Sequence, residues 1–250
     1  MNNIAAVILA AGKGKRMKAK QVNKVVVPLA NKHMILHTVD RLTELLISPI
    51  IVVVGFAKES VMKVLDGKVV FAEQSKRLGT AHAALCGLRK LPQNIKTVLV
   101  LNGDDSAFYT QDIIKKLIRA HLKKNAALSF LTITVDNPVG LGRVIRDGNG
   151  KTIGIVEEKD ATEQQKKIHE INPACYVFKV AFLKKYLSRV KKSEVTGEYY
   201  LTSLIDIAIK NKEKLKAVSV GKIPWRGINT RQELREAERL FLNQKGASWK

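Results

Sequence analysis

The sequence predicts an α/β protein organised around a doubly wound, mostly parallel sheet. Apolar, strand-like runs alternate with segments of helical period through the first half. Two of these runs stop at turn residues, Gly55 after one and Asn102-Gly103-Asp104 after another. The first run, Ile4-Ala5-Ala6-Val7-Ile8-Leu9, passes directly into Ala10-Ala11-Gly12-Lys13-Gly14-Lys15-Arg16-Met17, a loop with two glycines and no acid. Alternating strand and helix favours parallel strands, and such sheets collect ligands at the strand carboxyl ends.

The elements follow in order. Residues 4–9, 50–54, 69–71 and 97–101 read as strands, and between them residues 34–46, 58–65 and 80–88 read as helices, with another at 112–122. The second half changes character. Residues 128–135 and 143–146 read as strands, and the turn signal Gly148-Asn149-Gly150 makes 151–157 a hairpin return. Thr162-Glu163-Gln164-Gln165 is a capping-box pattern opening a short helix, 171–178 reads as one strand, and Thr230-Arg231-Gln232-Glu233 is a second capping box opening a helix to about Gln244. There is no internal repeat and no linker long enough to separate independent domains.

Composition narrows the function classes. The chain has 250 residues, 46% of them hydrophobic, enough for a sizeable core. Lys and Arg number 44 against 22 acids, a net charge of +22. That charge invites a nucleic-acid reading, but aromatic residues are only 6% and the lysines are scattered over helix faces, so solvated surface is the better account and no specific nucleic-acid partner is expected. Cys86 and Cys175 sit in apolar contexts without metal spacing, which fits a reducing cytoplasm. No stretch has the length of a membrane span or the form of a signal peptide, so no membrane partner is expected.

The loop after the first strand carries the chemistry. Backbone N–H groups and cationic side chains of such a loop close around a polyphosphate. It is not a Walker loop, because no Gly-Lys-Ser/Thr ends it, and it is a poor dinucleotide fingerprint, because Met17 holds the third glycine position. A solvated basic loop would explain the lysines but not the two glycines against an apolar strand. Arg16 and Lys24 can supply cations to a phosphate chain. Asp104, ending a buried strand, suits a hard metal such as Mg²⁺, though Asn-Gly-Asp is also ordinary turn chemistry. His33 and His37 lack an evident third ligand, and His82 reads as a helix residue without chemistry.

These residues also carry a resemblance. Leu9-Ala10-Ala11-Gly12-Lys13-Gly14-Lys15-Arg16-Met17 resembles the signature of the sugar-phosphate nucleotidyltransferases. Glu73-Gln74 with Leu78-Gly79-Thr80-Ala81-His82-Ala83, then Gly140-Leu141-Gly142-Arg143-Val144, Ile155–Ala161, Glu170-Ile171-Asn172, Gly197-Glu198-Tyr199-Tyr200-Leu201-Thr202 and Gly227-Ile228-Asn229, are together similar to the uridylyltransferase domain of bacterial N-acetylglucosamine-1-phosphate uridylyltransferases. The resemblance implies a Rossmann-like fold of the nucleotide-diphospho-sugar transferase type, with one nucleotidyltransferase domain over 1–229 and a C-terminal helix and tail over 230–250. Within it, residues to about 125 would form a nucleotide-binding half and residues 126–229 an embedded, β-rich sugar-binding half. It implies UTP and a sugar-1-phosphate as substrates, Mg²⁺ as cofactor, and Arg16 and Lys24 as catalytic cations. Nucleotide contacts would come from Leu9, Ala10, Ala11, Gly12, Gly14, Gln74, Gly79, Thr80 and Gly103. Sugar contacts would come from Gly142, Glu157 and Asn172, and metal ligands from Asp104 and Asn229. Taken alone, Thr80 also reads as a helix cap and Glu157 as an exposed strand-end acid.

The implied reaction is uridylyl transfer from UTP to N-acetylglucosamine-1-phosphate. The alternatives are another sugar-1-phosphate nucleotidyltransferase, or a catalytically weakened protein that binds nucleotide-sugars. Departures from the pattern fall around the site. Lys15 stands where Thr is usual, the interval from Arg16 to Lys24 is one residue longer, and Asn23 replaces a frequent proline. Asp105-Ser106-Ala107-Phe108 follows the metal aspartate in place of Val/His-Pro-Leu, Pro173-Ala174 replaces Thr-Gly, and Ser203 replaces an Asp. The family's acetyl-transfer half is a hexapeptide-repeat solenoid, and no such repeat occurs here, so no acetyltransferase activity and a monomer or weak homodimer are expected.

Overall fold

A computed structural model of the chain describes residues 3–14, 17 and 21–247, with side chains through 243. Its centre is four parallel strands, β1 (Ile4–Ala10), β4 (Ile50–Val54), β5 (Val70–Glu73) and β6 (Thr97–Asn102), in the order β5-β4-β1-β6. A small antiparallel pair, β2 (Pro28–Leu29) and β3 (Lys32–His33), precedes the first helix. Successive side chains of β1 enter opposite layers, as the period of two requires. Ile4, Ala6 and Ile8 join one core, Ala5 and Val7 the other. Helices α1 (Met34–Glu44), α2 (Lys58–Val64) and α4 (Gln111–Lys124) contribute to the first core; α3 (Thr80–Leu88) contributes to the second. Both faces of the sheet are covered, so its central strands can be apolar throughout.

The sheet continues into the second half. β7 (Leu128–Thr134), β8 (Gly142–Arg146), β9 (Thr152–Val156), β10 (Glu170–Asn172) and β11 (Cys175–Lys179) extend it in the order β6-β11-β7-β10-β8-β9. β12 (Leu215–Ser219) pairs parallel to β7. The short helix α5 (Glu163–Lys166) keeps its capping box on Thr162, and α6 (Val180–Tyr186) and α7 (Ser203–Lys210) pack into the second core. Neither α7 nor β12 was expected from the sequence. No helix among the described residues is long and apolar enough to cross a membrane.

The strand expected over 171–178 is two strands. β10 and β11 run antiparallel along β7, but the pairs are Ile171↔Ile133 and Tyr176↔Phe130, so two extra residues separate the ladders. Pro173 has no N–H to give a ladder. Ala174 sits at φ 53°, a left-handed conformation that costs an L-residue about 1–2 kcal/mol. Beyond this bulge the other edges diverge, because β11 pairs with β6 while β10 pairs with β8. The sheet therefore opens between the end of β6 and the start of β8.

The C-terminal helix α8 (Arg231–Ala247) docks against α1 and the segment after β6. The Phe241 ring lies 4.7 Å from that of His37 and 5.9 Å from that of Phe108. Glu238 accepts a 3.0 Å hydrogen bond from the amide of Ala30. At the start of the helix the box is offset from its sequence form. Thr230 Oγ1 accepts from the Glu233 amide, while the Glu233 carboxylate reaches back to the amide of Asn229 at 2.9 Å.

A buried histidine gives the fold a pH dependence. His121 of α4 is 1% exposed, and its Nδ1 lies 3.0 Å from Ser129 Oγ on β7. Burial, and then the charge of Lys179, depress its pKa from 6.5 to about 4. The folded state therefore binds fewer protons than the unfolded chain between those values, so this contribution is complete above pH 6.5 and is lost as pH falls through about 4. Thermal melts across that range should show the wild type losing stability on acidification, and His121→Gln should flatten the dependence.

Candidate active site

The carboxyl ends of the parallel strands open onto two adjoining hollows. The first, about 690 Å³, is lined by Leu9 through Gly14, Asn23, Lys24, Gln74, Arg77, Gly79, Thr80 and Asp104. The second, about 420 Å³, lies in the opening beyond the bulge and is lined by Asp104, Asp105, Gly142, Glu157, Asn172, Ala174, Thr202, Trp225 and Asn229. Leu9, Thr80, Asn102, Asp104 and Glu198 line both. Two compartments of unlike chemistry thus meet at the end of β6.

The loop after β1 is pinned from behind by a buried amide. Asn23 Nδ2 faces the carbonyls of Ala10 at 2.9 Å, Phe56 at 2.8 Å and Gly12 at 3.3 Å. Its Oδ1 accepts from the Val25 amide at 3.1 Å, opening the 3₁₀ turn that begins with Lys24. The amide ties together two loops and the turn where the resemblance has only a proline ring. Arg16 lies outside the described residues. Gly103 lines neither hollow; its amide donates to the carbonyl of Leu9 at 3.0 Å.

Gln74, 4% exposed, is held in one orientation. Its Nε2 donates to the carbonyl of Gly79 at 3.0 Å and lies 3.0 Å from His82 Nδ1. A carbonyl only accepts, so the amide nitrogen must face Gly79. The second amide proton then needs Nδ1 of His82 as acceptor, which puts that imidazole's proton on Nε2. Both donors of Gln74 are used, and Oε1 remains as an acceptor. His82, read from the sequence as a helix residue without chemistry, thus positions Gln74. The one signal was its place on the first turn of α3, beside the Gly-Thr pair.

Thr80 does not cap α3. Gly79 is the N-cap, and Thr80 Oγ1 accepts from the amide of Leu201 at 2.9 Å. The amide of Tyr199 donates to Leu78, and that of Ala81 to Tyr199, which draws residues 197–201 against the helix start. Gly79 is at φ +107°, and a Cβ there would stand 2.5 Å from the Tyr199 carbonyl oxygen.

In the second hollow Glu157 accepts from Thr202 Oγ1 at 2.8 Å. Burial raises its pKa above the usual carboxylate range, and the Thr202 hydrogen bond works against that rise. A Cβ on Gly142 would stand 3.4 Å from Glu157 Oε2, so this backbone passes close to the carboxylate. Asn172 donates to the Tyr176 hydroxyl and accepts from the Ala174 amide at 3.2 Å. Burial, and then the neighbouring Asp104 carboxylate, push the Asp105 carboxyl well above its ordinary value. Asp105 Oδ1 has no hydrogen-bond partner among the described residues.

At the junction the ammonium of Lys24 pairs with Asp104 and donates to Asn229 Oδ1 at 3.1 Å. The expected metal ligands therefore converge on a single cation although they lie far apart in sequence. Their donors are one carboxylate and one amide oxygen, both hard, a pair that suits a hard divalent ion as well as the lysine head. No cluster of three or more His, Cys, Asp or Glu suited to a metal occurs among the described residues, so any ion here would need ligands from a substrate or solvent.

The family model described as nucleotidyl transferase matches residues 5–244. The chain belongs to the nucleotidyl transferase family. Among curated relatives of this nucleotidyl transferase, the bifunctional protein GlmU of Thermoanaerobacter pseudethanolicus is 42% identical over 241 residues, covering 96% of this chain and 52% of the relative. That of Caldicellulosiruptor saccharolyticus is 44% identical over 248 residues, covering 97% and 53%. The chain thus spans about half the length of the curated relatives it matches. A solved Bacillus anthracis structure, assigned as a glucose-1-phosphate thymidylyltransferase in complex with sucrose, aligns with a TM-score of 0.78 at 21% identity over 95% of both chains. It shares the fold.

The contact at Gly79 yields a test. Gly79→Ala forces a side chain into the Tyr199 backbone at a positive φ, and should cost about 2 kcal/mol or more. Because the same turn supplies the carbonyl that holds Gln74, nucleotide affinity should fall with stability. Denaturation and nucleotide titration of the variant check both.

Proposed function

We propose that the chain transfers a uridylyl group from UTP to N-acetylglucosamine-1-phosphate, releasing pyrophosphate and UDP-N-acetylglucosamine. The observation that carries the reading is the meeting of two hollows at Asp104, one lined by the oriented Gln74 amide and the other by Glu157 and Asn172. The larger hollow takes the nucleotide. Gln74 Oε1 accepts a hydrogen bond from an imide N–H, which uracil and thymine have at ring N3 and cytosine lacks. The N-terminus of α3 and the glycine loop face the ribose and phosphates. The smaller hollow takes the sugar, with Glu157, Asn172 and the backbone at Gly142 toward its hydroxyls.

The reaction joins a sugar-phosphate oxygen to the α-phosphorus and releases pyrophosphate. No covalent enzyme intermediate is required; positioning and charge neutralisation suffice. Arg16 and Lys24 serve the triphosphate and the transition state. Mg²⁺ held by Asp104, Asn229 and phosphate oxygens would supply further neutralisation. The Glu233 carboxylate on the Asn229 amide fixes that residue at the mouth of the site, and the Asn23 clamp fixes the turn carrying Lys24. The buried Asp105 carboxyl and Ala174 in the sugar hollow favour one second reading, a nucleotidyl transferase acting on a different sugar.

Pyrophosphate release over a substrate panel tests the assignment. With UTP, kcat/KM should be highest for N-acetylglucosamine-1-phosphate against glucose-1-phosphate and glucosamine-1-phosphate. A preference for either competitor selects the second reading. With the sugar fixed, UTP should lead, dTTP should follow, and CTP should be poor. Asp104→Ala should lower turnover by about 10²-fold or more while leaving the far-ultraviolet circular dichroism unchanged. Near-normal turnover of that variant at saturating Mg²⁺ would remove Asp104 from the mechanism.

A further inference from the structure

We propose that Lys24 is the resident cation of the Asp104–Asn229 pair, and that a divalent metal takes this place only when the phosphates of a nucleoside triphosphate draw the lysine away. The inference rests on the proposed reading of Asp104 and Asn229 as metal ligands.

One oxygen of Asp104 and the side-chain oxygen of Asn229 are already engaged by the same ammonium. The Lys24 ammonium pairs with Asp104 Oδ2 and lies 3.1 Å from Asn229 Oδ1. The Lys24 and Asp104 side chains are only 13% and 17% exposed, so water screens the pair weakly. A magnesium ion needs oxygen ligands at about 2.0–2.1 Å in near-octahedral order. An ion placed that close to both oxygens would fall within contact distance of the ammonium nitrogen. Two like charges cannot share that space, so one must leave.

The lysine can leave. Its head is carried on a flexible four-carbon stem, whereas its backbone is fixed by the 3₁₀ turn that Asn23 opens. The base of the stem is hemmed in by the glycine loop, because a Cβ on Gly14 would stand 3.0 Å from Lys24 Cβ. Rotation at the outer carbons therefore moves the charge while the turn stays in place. Lys24 lines the larger hollow, so phosphates there lie within reach of the swing. They offer the ammonium charge-assisted hydrogen bonds in exchange for Asp104. The vacated oxygens can then take a metal that the same phosphates help to bind.

The consequence is coupling. Nucleotide raises metal affinity, and by linkage metal raises nucleotide affinity by the same factor. Without nucleotide, the site holds its own lysine and discriminates against free divalent ions.

The test is Mn²⁺ binding followed by electron paramagnetic resonance and water-proton relaxation. Without nucleotide, Lys24→Met should bind Mn²⁺ about tenfold or more tightly than the wild type, within the usual range of coupling factors. Mg²⁺ alone should raise the melting temperature of Lys24→Met, where Asp104 has lost its partner, and leave the wild type unmoved. Adding Asp104→Asn to Lys24→Met should abolish both gains. Lys24→Gln is the second variant if Lys24→Met does not fold. Equal Mn²⁺ affinity of wild type and variant without nucleotide would overturn the proposal while leaving the metal ligands intact. Failure of the wild type to form a ternary complex with UTP and Mn²⁺, or a ternary complex unchanged by Asp104→Asn, would instead overturn the metal-ligand reading and the proposal with it.

Discussion

The pairing of Lys24 with Asp104 organises the site. It joins the turn after the glycine loop to the end of β6, and Asn229 adds the segment before α8. Little in local sequence would hold these three pieces together. Each is positioned from behind by hydrogen bonding of its own backbone. Asn23 fixes the lysine turn, parallel pairing of β6 with β1 fixes the strand that ends at Asp104, and the Glu233 carboxylate fixes the backbone of Asn229. The backbones that carry these charges are thus set before a substrate arrives, and only the lysine head has to turn when phosphate binds.

The bulge at Pro173–Ala174 is the second constraint. A continuous strand along β7 would keep β6 and β8 close and leave no room for the second hollow. Two extra residues separate the ladders, so β11 stays with β6 while β10 carries β8 away. The bulge keeps Ala174 in a left-handed conformation that glycine would adopt without strain. The hollow it opens contains Asn172 and Ala174 on one side and Asp104 on the other. An irregularity in the sheet therefore separates the compartments and sets their junction.

Much of the fold was legible because its period is strong. The apolar runs at 50–54 and 97–101 and the helix over 112–122 stand within a few residues of the observed elements, and both capping patterns open helices. The single strand expected over 171–178 failed because hydrophobic pattern does not register a two-residue bulge, although Pro173 was a signal for one. α7 and β12 went unassigned in a stretch where several lysines interrupt the apolar period. In the site, the loop, Gln74, Gly79, Asp104, Glu157 and Asn229 were legible as motif residues. The roles of Asn23 and His82 were not, because an amide that ties two loops and an imidazole that orients a side chain act through contacts in space. Thr80 shows the same limit: its hydroxyl serves Leu201, far along the chain, rather than its own helix.

The most direct measurement of the central claim is a crystal structure of the chain with UDP-N-acetylglucosamine and Mg²⁺. The account predicts the uracil imide against Gln74 Oε1, the sugar between Glu157 and Asn172, and the diphosphate crossing the junction at Asp104 with Lys24 turned toward phosphate. A uracil bound away from Gln74, or a sugar outside the hollow beyond the Pro173–Ala174 bulge, would contradict it.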